Sequence, residues 1–267
     1  MSTPLPLSVV IVARNEAAIL PRCLASVHGW VQEIVVALNA TTDASAEVVT
    51  PFGARVVHLT WKGFRDTKNE AMDLASQPWA LCLDADEEVS PALRDEIHAF
   101  FQQGESARYA GARFPRKVWF INRWIRHGDW YPDLSLRLVN RAKARWGGDA
   151  FVHEKMECSG PVKRLQGDLH HYSFPTLASH VAKINPFTEL FLRQQRARGR
   201  RFNSVSAVFR ACWRFFRGYV IKAGFLDGYP GLYIAVANAF GVFVRYSSLY
   251  EDQHRMPPPA LERKEHP

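Results

Sequence analysis

Residues 79–88 read Trp79-Ala80-Leu81-Cys82-Leu83-Asp84-Ala85-Asp86-Glu87-Glu88, an apolar run that ends abruptly in carboxylates. So short a run, bounded by polar residues, reads as a strand buried on both faces, as in a parallel sheet. Similar runs precede it at residues 7–12, 33–38 and 54–59, with segments of helical composition at 16–27, 44–50 and 66–76 between them. Ser90 and Pro91 supply a cap and a first-turn proline for a further helix over 92–101. Strand–helix units in succession predict an open, mostly parallel α/β sheet with right-handed crossovers. Pro21 fits the first helix only if that helix kinks or begins late.

In such sheets ligands bind beyond the carboxyl ends of the strands. Ala13, Arg14, Asn15 and Glu16 follow the first strand, residues 39–43 the second, 61–68 the third, and the Asp84–Asp86 pair the fourth. Mg2+ and Mn2+ are hard ions, held by one or two carboxylates together with substrate phosphates. Asp-x-Asp at a strand end suits a metal–diphosphate. A solvated acidic turn before the Ser90 helix is the alternative, and the position at the fourth strand exit favours the metal.

From residue 111 to 174 the pattern breaks into short β-like pieces (112–115, 117–121, 136–139), predicting a continuation of the sheet and an acceptor-side lobe. Helical signals return from residue 176. The Pro-rich, charged tail 256–267 reads as disordered. The chain has 267 residues, with 34 Lys+Arg against 26 Asp+Glu. Residues 1–175 hold 20 basic and 20 acidic side chains, whereas 176–250 hold 11 basic against only Glu189 and Asp227. An anionic partner is therefore expected at the later segment. The longest apolar run, 231–244, contains Asn238 and falls short of the ~20 residues that span a bilayer, so no spanning helix is expected. The N-terminus lacks the basic start of a signal peptide. Cys23, Cys82, Cys158 and Cys212 are widely spaced and read as reduced, mostly packed thiols of a cytosolic chain.

Residues 9–20 (VVIVARNEAAIL), 68–71 (KNEA) and 83–87 (LDADE) together resemble the family 2 glycosyltransferases of GT-A fold. Residues 126–138 (RHGDWYPDLSLRL), Val152-His153-Glu154, 167–174 (GDLHHYSF) and 222–233 (KAGFLDGYPGLY) are similar to the branch that builds lipopolysaccharide inner core, a β-glucosyltransferase branch. The resemblance implies a GT-A-type nucleotide-binding sheet over 1–175, its nucleotide-sugar half near 1–110 and its acceptor half near 111–175. A helical, membrane-associating extension follows over 176–255.

By the same resemblance Ala13, Asn15 and Glu16 meet the nucleotide, Arg14 and Lys68 the phosphates, and Asp84 the ribose. Asp86 holds the divalent cofactor, Mg2+ or Mn2+. The family commonly places an acid after the second strand, facing the base. Here Leu38 stands there, and Asn39 or Asp43 must substitute or the nucleotide is held differently. The implied reaction is inverting transfer of a hexose, UDP-glucose being the nearest donor, to a lipid-linked saccharide, with a carboxylate as general base. Asp133 is the first candidate base and Glu154 the second; His153 is either a ligand or structural. Trp119, Trp124, Trp130 and Tyr131 either stack on sugars or fill the lobe's core.

Phe209, Trp213, Phe216 and Val220 recur at helical spacing beside Arg210, Arg214 and Arg217, the pattern of a helix lying on an anionic membrane surface. Packing of that stripe on the catalytic unit is the other reading. A noncatalytic or decayed binding protein leaves the strand-exit residues unexplained, and a nucleotidyltransferase lacks its Gly-rich phosphate loop here. The expected enzyme is cytoplasmic, peripheral to the inner membrane, and binds no nucleic acid.

Overall fold

The computed structural model describes residues 3–148, 154–182 and 184–256; His153 and the tail beyond Met256 lie outside them. The chain divides into two compact units, Met1–Pro175 and Thr176–Pro267.

In the first unit, β1 (Leu5–Ala13), β2 (Val31–Leu38), β3 (Arg55–His58) and β4 (Trp79–Asp84) run parallel in the order β3-β2-β1-β4. Alternation along β1 sends Leu7, Val9 and Ile11 into one core and Val10 into a second on the other face. The first core takes Leu20 and Leu24 of α1 (Leu20–Val27). The second takes Ala71 and Met72 of α2 (Phe64–Asp73). Leu93, Ile97 and Phe100 of α3 (Pro91–Gln102) complete the first, the helix being capped by Ser90 Oγ, which accepts from Leu93 N at 3.2 Å. Pro21 sits in the first turn of α1, where its missing N–H costs nothing, so the helix starts late rather than kinking. Residues 44–50 make turns and lead into a 3-10 turn at Thr50–Phe52, not the expected helix. There Asp43 accepts from Ser45 N, Asp43 and Ser45 also accept from the backbone N–H groups of Ala17 and Glu16 across the neighbouring loop, and Pro51 lacks an N–H.

Beyond β4 the sheet becomes mixed. After the turn at Ala85–Asp86 come β5 (Glu87–Val89), α4 (Glu105–Arg108), β6 (Gly111–Phe120), β7 (Arg123–Trp124) and β8 (Asp133–Asn140). These are followed by β9 (Ala144–Gly148), β10 (Glu154–Cys158), β11 (Val162–Arg164) and β12 (Leu169–His171). The order continues β4-β8-β6-β12-β5, with β8 antiparallel to both neighbours and β12 parallel to β6 but antiparallel to β5. β7 and β11 also pair with β6, while β9 and β10 form a separate antiparallel ladder. The sheet is thus α/β and mostly parallel, as expected from the resemblance.

The second unit holds α5 (Leu177–Ala182), α6 (Ile184–Ala197), α7 (Ser204–Phe216) and α8 (Gly228–His254), with α8 packed on α6 and α7. A π-helical turn, Arg217–Ile221, and a 3-10 turn, Gly224–Asp227, join α7 to α8. A Cβ on Gly231 would lie 1.9 Å from the Gly224 carbonyl oxygen, so the 222–233 motif serves a backbone-to-backbone approach at this corner. The region Gly224–His254 corrects one expectation: its best window reaches a mean hydropathy of 1.3, and by length and composition it is sufficient to cross a membrane. Asn238 interrupts the apolar run in sequence, but a helix continues through a polar residue. All four cysteines are free; Cys23 and Cys82 are buried, and Cys212 is exposed rather than packed.

Candidate donor and metal site

The parallel strands deliver their carboxyl ends to one edge, and the loops there brace one another. Asn15, at φ 55°, turns its Oδ1 to accept from Thr42 N at 2.8 Å. Asp43 accepts from Ala17 N at 3.0 Å, and Ser45 Oγ from Glu16 N at 2.9 Å. Ala13 and Asn39 are each 4% exposed, and the Asn39 amide donates back to the Ala13 carbonyl at 3.5 Å. Asn39 and Asp43 are therefore spent on fixing the loops, and Leu38 lies in the core. The side chain of Arg14 is exposed, and Glu16 is half-buried. Burial, then the negative charges of Asp86 and Asp43, push the Glu16 carboxyl above its ordinary range.

Asp84 ends β4 between two cations. Lys68 Nζ donates to its Oδ1 at 3.0 Å and Arg137 to its Oδ2. Burial alone would raise the Asp84 carboxyl, but Arg137 and Lys68 outweigh it and hold it well below the usual carboxylate range. Lys68 also donates to Glu154 at 3.0 Å and lies over the Trp146 ring at 4.6 Å. Sequence reading missed Glu87, because a third acid after Asp-x-Asp looks like one more solvated charge. It opens β5 with no side-chain exposure, accepting from Arg137 at 2.8 Å, Arg116 at 3.3 Å and the Asp84 N–H at 2.9 Å. Arg116 in turn donates twice to Asp133 Oδ2, at 2.9 and 2.7 Å. Ion pairs thus link both candidate bases to Asp84. The Asp133 side chain is 45% exposed and that of Glu154 only 18%.

Asp86 stands in the turn between β4 and β5. The β12–β5 ladder sets His171 opposite Glu87, and Tyr172 N donates to the Asp86 carbonyl at 2.9 Å. His171 Nε2 then lies 3.3 Å from Asp86 Oδ2. Burial would raise the Asp86 carboxyl, but the His171 hydrogen bond and charge lower it. His171 was quoted in a motif yet had no assigned role; the doublet His170-His171 was its one sequence signal. His170 instead stacks on Trp124 at 4.1 Å, and Trp130 on Phe174 at 5.1 Å, so these aromatics pack in the lobe.

Among the described residues no group of three His, Cys, Asp or Glu converges as a metal cage. One carboxylate and one imidazole nonetheless suit a divalent ion that completes its shell with diphosphate oxygens, Mn2+ accepting the nitrogen more readily than Mg2+.

Acid stability follows from these pairs. Asp84, and Glu33 of β2, which accepts from Ser76 and Arg55, have depressed carboxyls; both stabilise the fold fully above the unfolded carboxylate range and lose that contribution as pH falls through their lower folded values. Glu16, raised, works with the opposite sign. Circular-dichroism melts are expected to be level above about pH 5 and to decline below about pH 4. A melting temperature that stays level into strong acid would show that the pairs contribute no net stability.

The chain matches the family described as Glycosyl transferase family 2 over residues 8–156, more than half its length. It belongs to that family. The transferase is 28% identical over 257 residues to the lipopolysaccharide core biosynthesis glycosyltransferase LpsC of Rhizobium meliloti (strain 1021), covering 94% of each chain. It is 27% identical to the uncharacterized glycosyltransferase RT0209 of Rickettsia typhi, over 92% of this chain and 87% of that one. Among solved structures, S. aureus TarS 1-349 in complex with UDP-GlcNAc superposes with a TM-score of 0.48 at 12% identity, covering 92% of this chain and 84% of that one.

Proposed function

We propose that this glycosyltransferase moves a hexose, with inversion, from a nucleotide-sugar donor, UDP-glucose foremost, to a lipid-linked saccharide of the lipopolysaccharide core. The convergence of Asp86 and His171 beside the Lys68–Asp84–Arg137 cluster carries the reading. It supplies a metal–diphosphate seat at the strand exits, and the similarity to LpsC, a lipopolysaccharide core biosynthesis glycosyltransferase, supports the acceptor class. Asp86 and His171 would hold a divalent ion, which when bound stabilises negative charge on the departing diphosphate. Lys68 and Arg14 add positive charge for the phosphates, and Asp84, fixed by two cations, faces the ribose. Ala13, Asn15 and Glu16 line the nucleotide edge, while Asn39 keeps the loops in place.

Asp133 takes the acceptor proton. Its exposure supports this choice over Glu154, and both of its Arg116 contacts fall on Oδ2 rather than Oδ1. The second unit brings the enzyme to the cytoplasmic face of the inner membrane. Phe209, Trp213, Phe216 and Val220 are 66%, 48%, 47% and 45% exposed, which supports membrane contact through this helix.

Thermal melts against a panel of nucleotide sugars, with and without Mn2+, test the proposal. A UDP-sugar at about 100 times its Kd should stabilise by about 2.7 kcal/mol, roughly 5–10 °C, and only with metal present. Silence across the panel favours a noncatalytic protein. A response to a nucleoside triphosphate instead points to nucleotidyl transfer.

A further inference from the structure

β6 holds the segment that leads into β8 at two points. Arg116 and Lys117 follow one another on β6, so their side chains leave opposite faces of the sheet. Lys117 Nζ donates to Asp168 Oδ2 at 2.6 Å, and the Tyr131 hydroxyl donates to Asp168 Oδ1 at 2.9 Å. Asp168 stands just before β12, which runs beside β6 with Leu169 opposite Arg116. The chain is thereby fixed at Tyr131, two residues before the candidate base. That leaves the Asp133 side chain to be placed.

Arg116 faces Asp133 across the β6–β8 ladder, and both its Nε and its Nη2 donate to Asp133 Oδ2. Two donors on one oxygen restrain the carboxylate more than a single contact would. With its Nη1, Arg116 donates to Glu87 Oε1 at 3.3 Å. Glu87 is itself held, since Arg137 donates to the same oxygen and Oε2 accepts from the Asp84 N–H. Glu87 therefore keeps partners without Arg116. An ion pair whose acid is 45% exposed adds little to stability. What Arg116 adds is direction.

We infer that Arg116 is the positioning residue for the general base, holding the Asp133 carboxylate where the acceptor hydroxyl gives up its proton. The inference rests on the assignment of Asp133 made above and deepens it. As the acceptor oxygen bonds to the anomeric carbon, its proton passes to Asp133 and the diphosphate leaves with the electron pair of the broken C–O bond. A carboxylate displaced by about 1 Å meets that proton poorly, which can cost about 100-fold in rate.

A double-mutant cycle tests it, with transfer from UDP-glucose to deacylated lipopolysaccharide core as the readout. Arg116→Gln should lower kcat by about 10–100-fold while the KM for UDP-glucose stays within about twofold. The same substitution placed in Asp133→Asn should cost almost nothing more, because the arginine then has no base to place. Arg116→Lys, which keeps the charge but not the paired donors, should recover the melting temperature and little of kcat. It also carries the cycle should Arg116→Gln fail to fold. Unchanged kcat, full recovery by lysine, or losses that multiply in the double variant would each overturn the positioning role. Wild-type turnover in Asp133→Asn would instead remove the base assignment, and the positioning role with it. A crystal structure of Arg116→Gln adds a readout without turnover: the Asp133 carboxylate should leave its present place or occupy several. Found where it now stands, it would overturn the inference even if UDP-glucose proves not to be the donor.

Discussion

Asp86→Asn is expected to lower turnover by about 10²–10³-fold or more while leaving the fold intact. The substitution keeps the shape and removes the charge that a divalent ion requires. Asp86 stands in a turn, its side chain 28% exposed, with His171 Nε2 at 3.3 Å. A partly exposed pair of this kind contributes up to about 1 kcal/mol, so the melting temperature should move by only a few degrees. Steady-state transfer and thermal melts on the same preparation separate the two effects. His171→Gln should be impaired in the same direction, because it removes the second donor. Undiminished turnover in Asp86→Asn would take the metal away from this turn, and a collapsed melt would make the residue structural.

Arg137→Met should instead act on stability, costing about 3–5 kcal/mol, because it removes the buried cation shared by two carboxylates and leaves Asp84 with Lys68 and Glu87 with Arg116. Arg137 is 6% exposed and joins Asp84 to Glu87, whose side chain has no exposure. Without the guanidinium, two anions face each other at the end of β4. Urea unfolding at neutral pH measures the loss. The Asp84 contribution fades as its depressed carboxyl is protonated, so the gap between wild type and variant should narrow as pH falls below about 4. Arg137→Met/Glu87→Gln should recover part of it, since removing both charges is milder than removing one. A loss below about 1 kcal/mol in Arg137→Met at neutral pH would show that the network contributes little.

The parallel half of the sheet was legible because residues 7–12, 33–38 and 79–83 carry β-branched and apolar runs that only a doubly covered sheet can bury. The same logic placed Asp84 and Asp86 at a strand exit, and Ser90 marked its helix by a local cap. Segment 44–50 misled because its composition is helical while Asp43, Ser45 and Pro51 dictate turns. The helix over 228–254 was underestimated because apolar purity was taken for length.

Local sequence therefore determined the parallel strands, the acidic turn and the basic, aromatic second unit, since each follows from short-range periodicity or charge. Pairing across distance decided the rest. β12 brought His171 to Asp86 over 85 residues of chain, β8 brought Arg137 to Asp84, and β6 brought Arg116 to Asp133. Nothing in the neighbourhood of Glu87 distinguishes it from Glu88; only the ladder to β12 turns one toward Arg137 and Arg116 and the other toward the Tyr172 hydroxyl. Which carboxylates become anchors and which remain open to ligands is a matter of strand register, a long-range property that spacing alone does not contain.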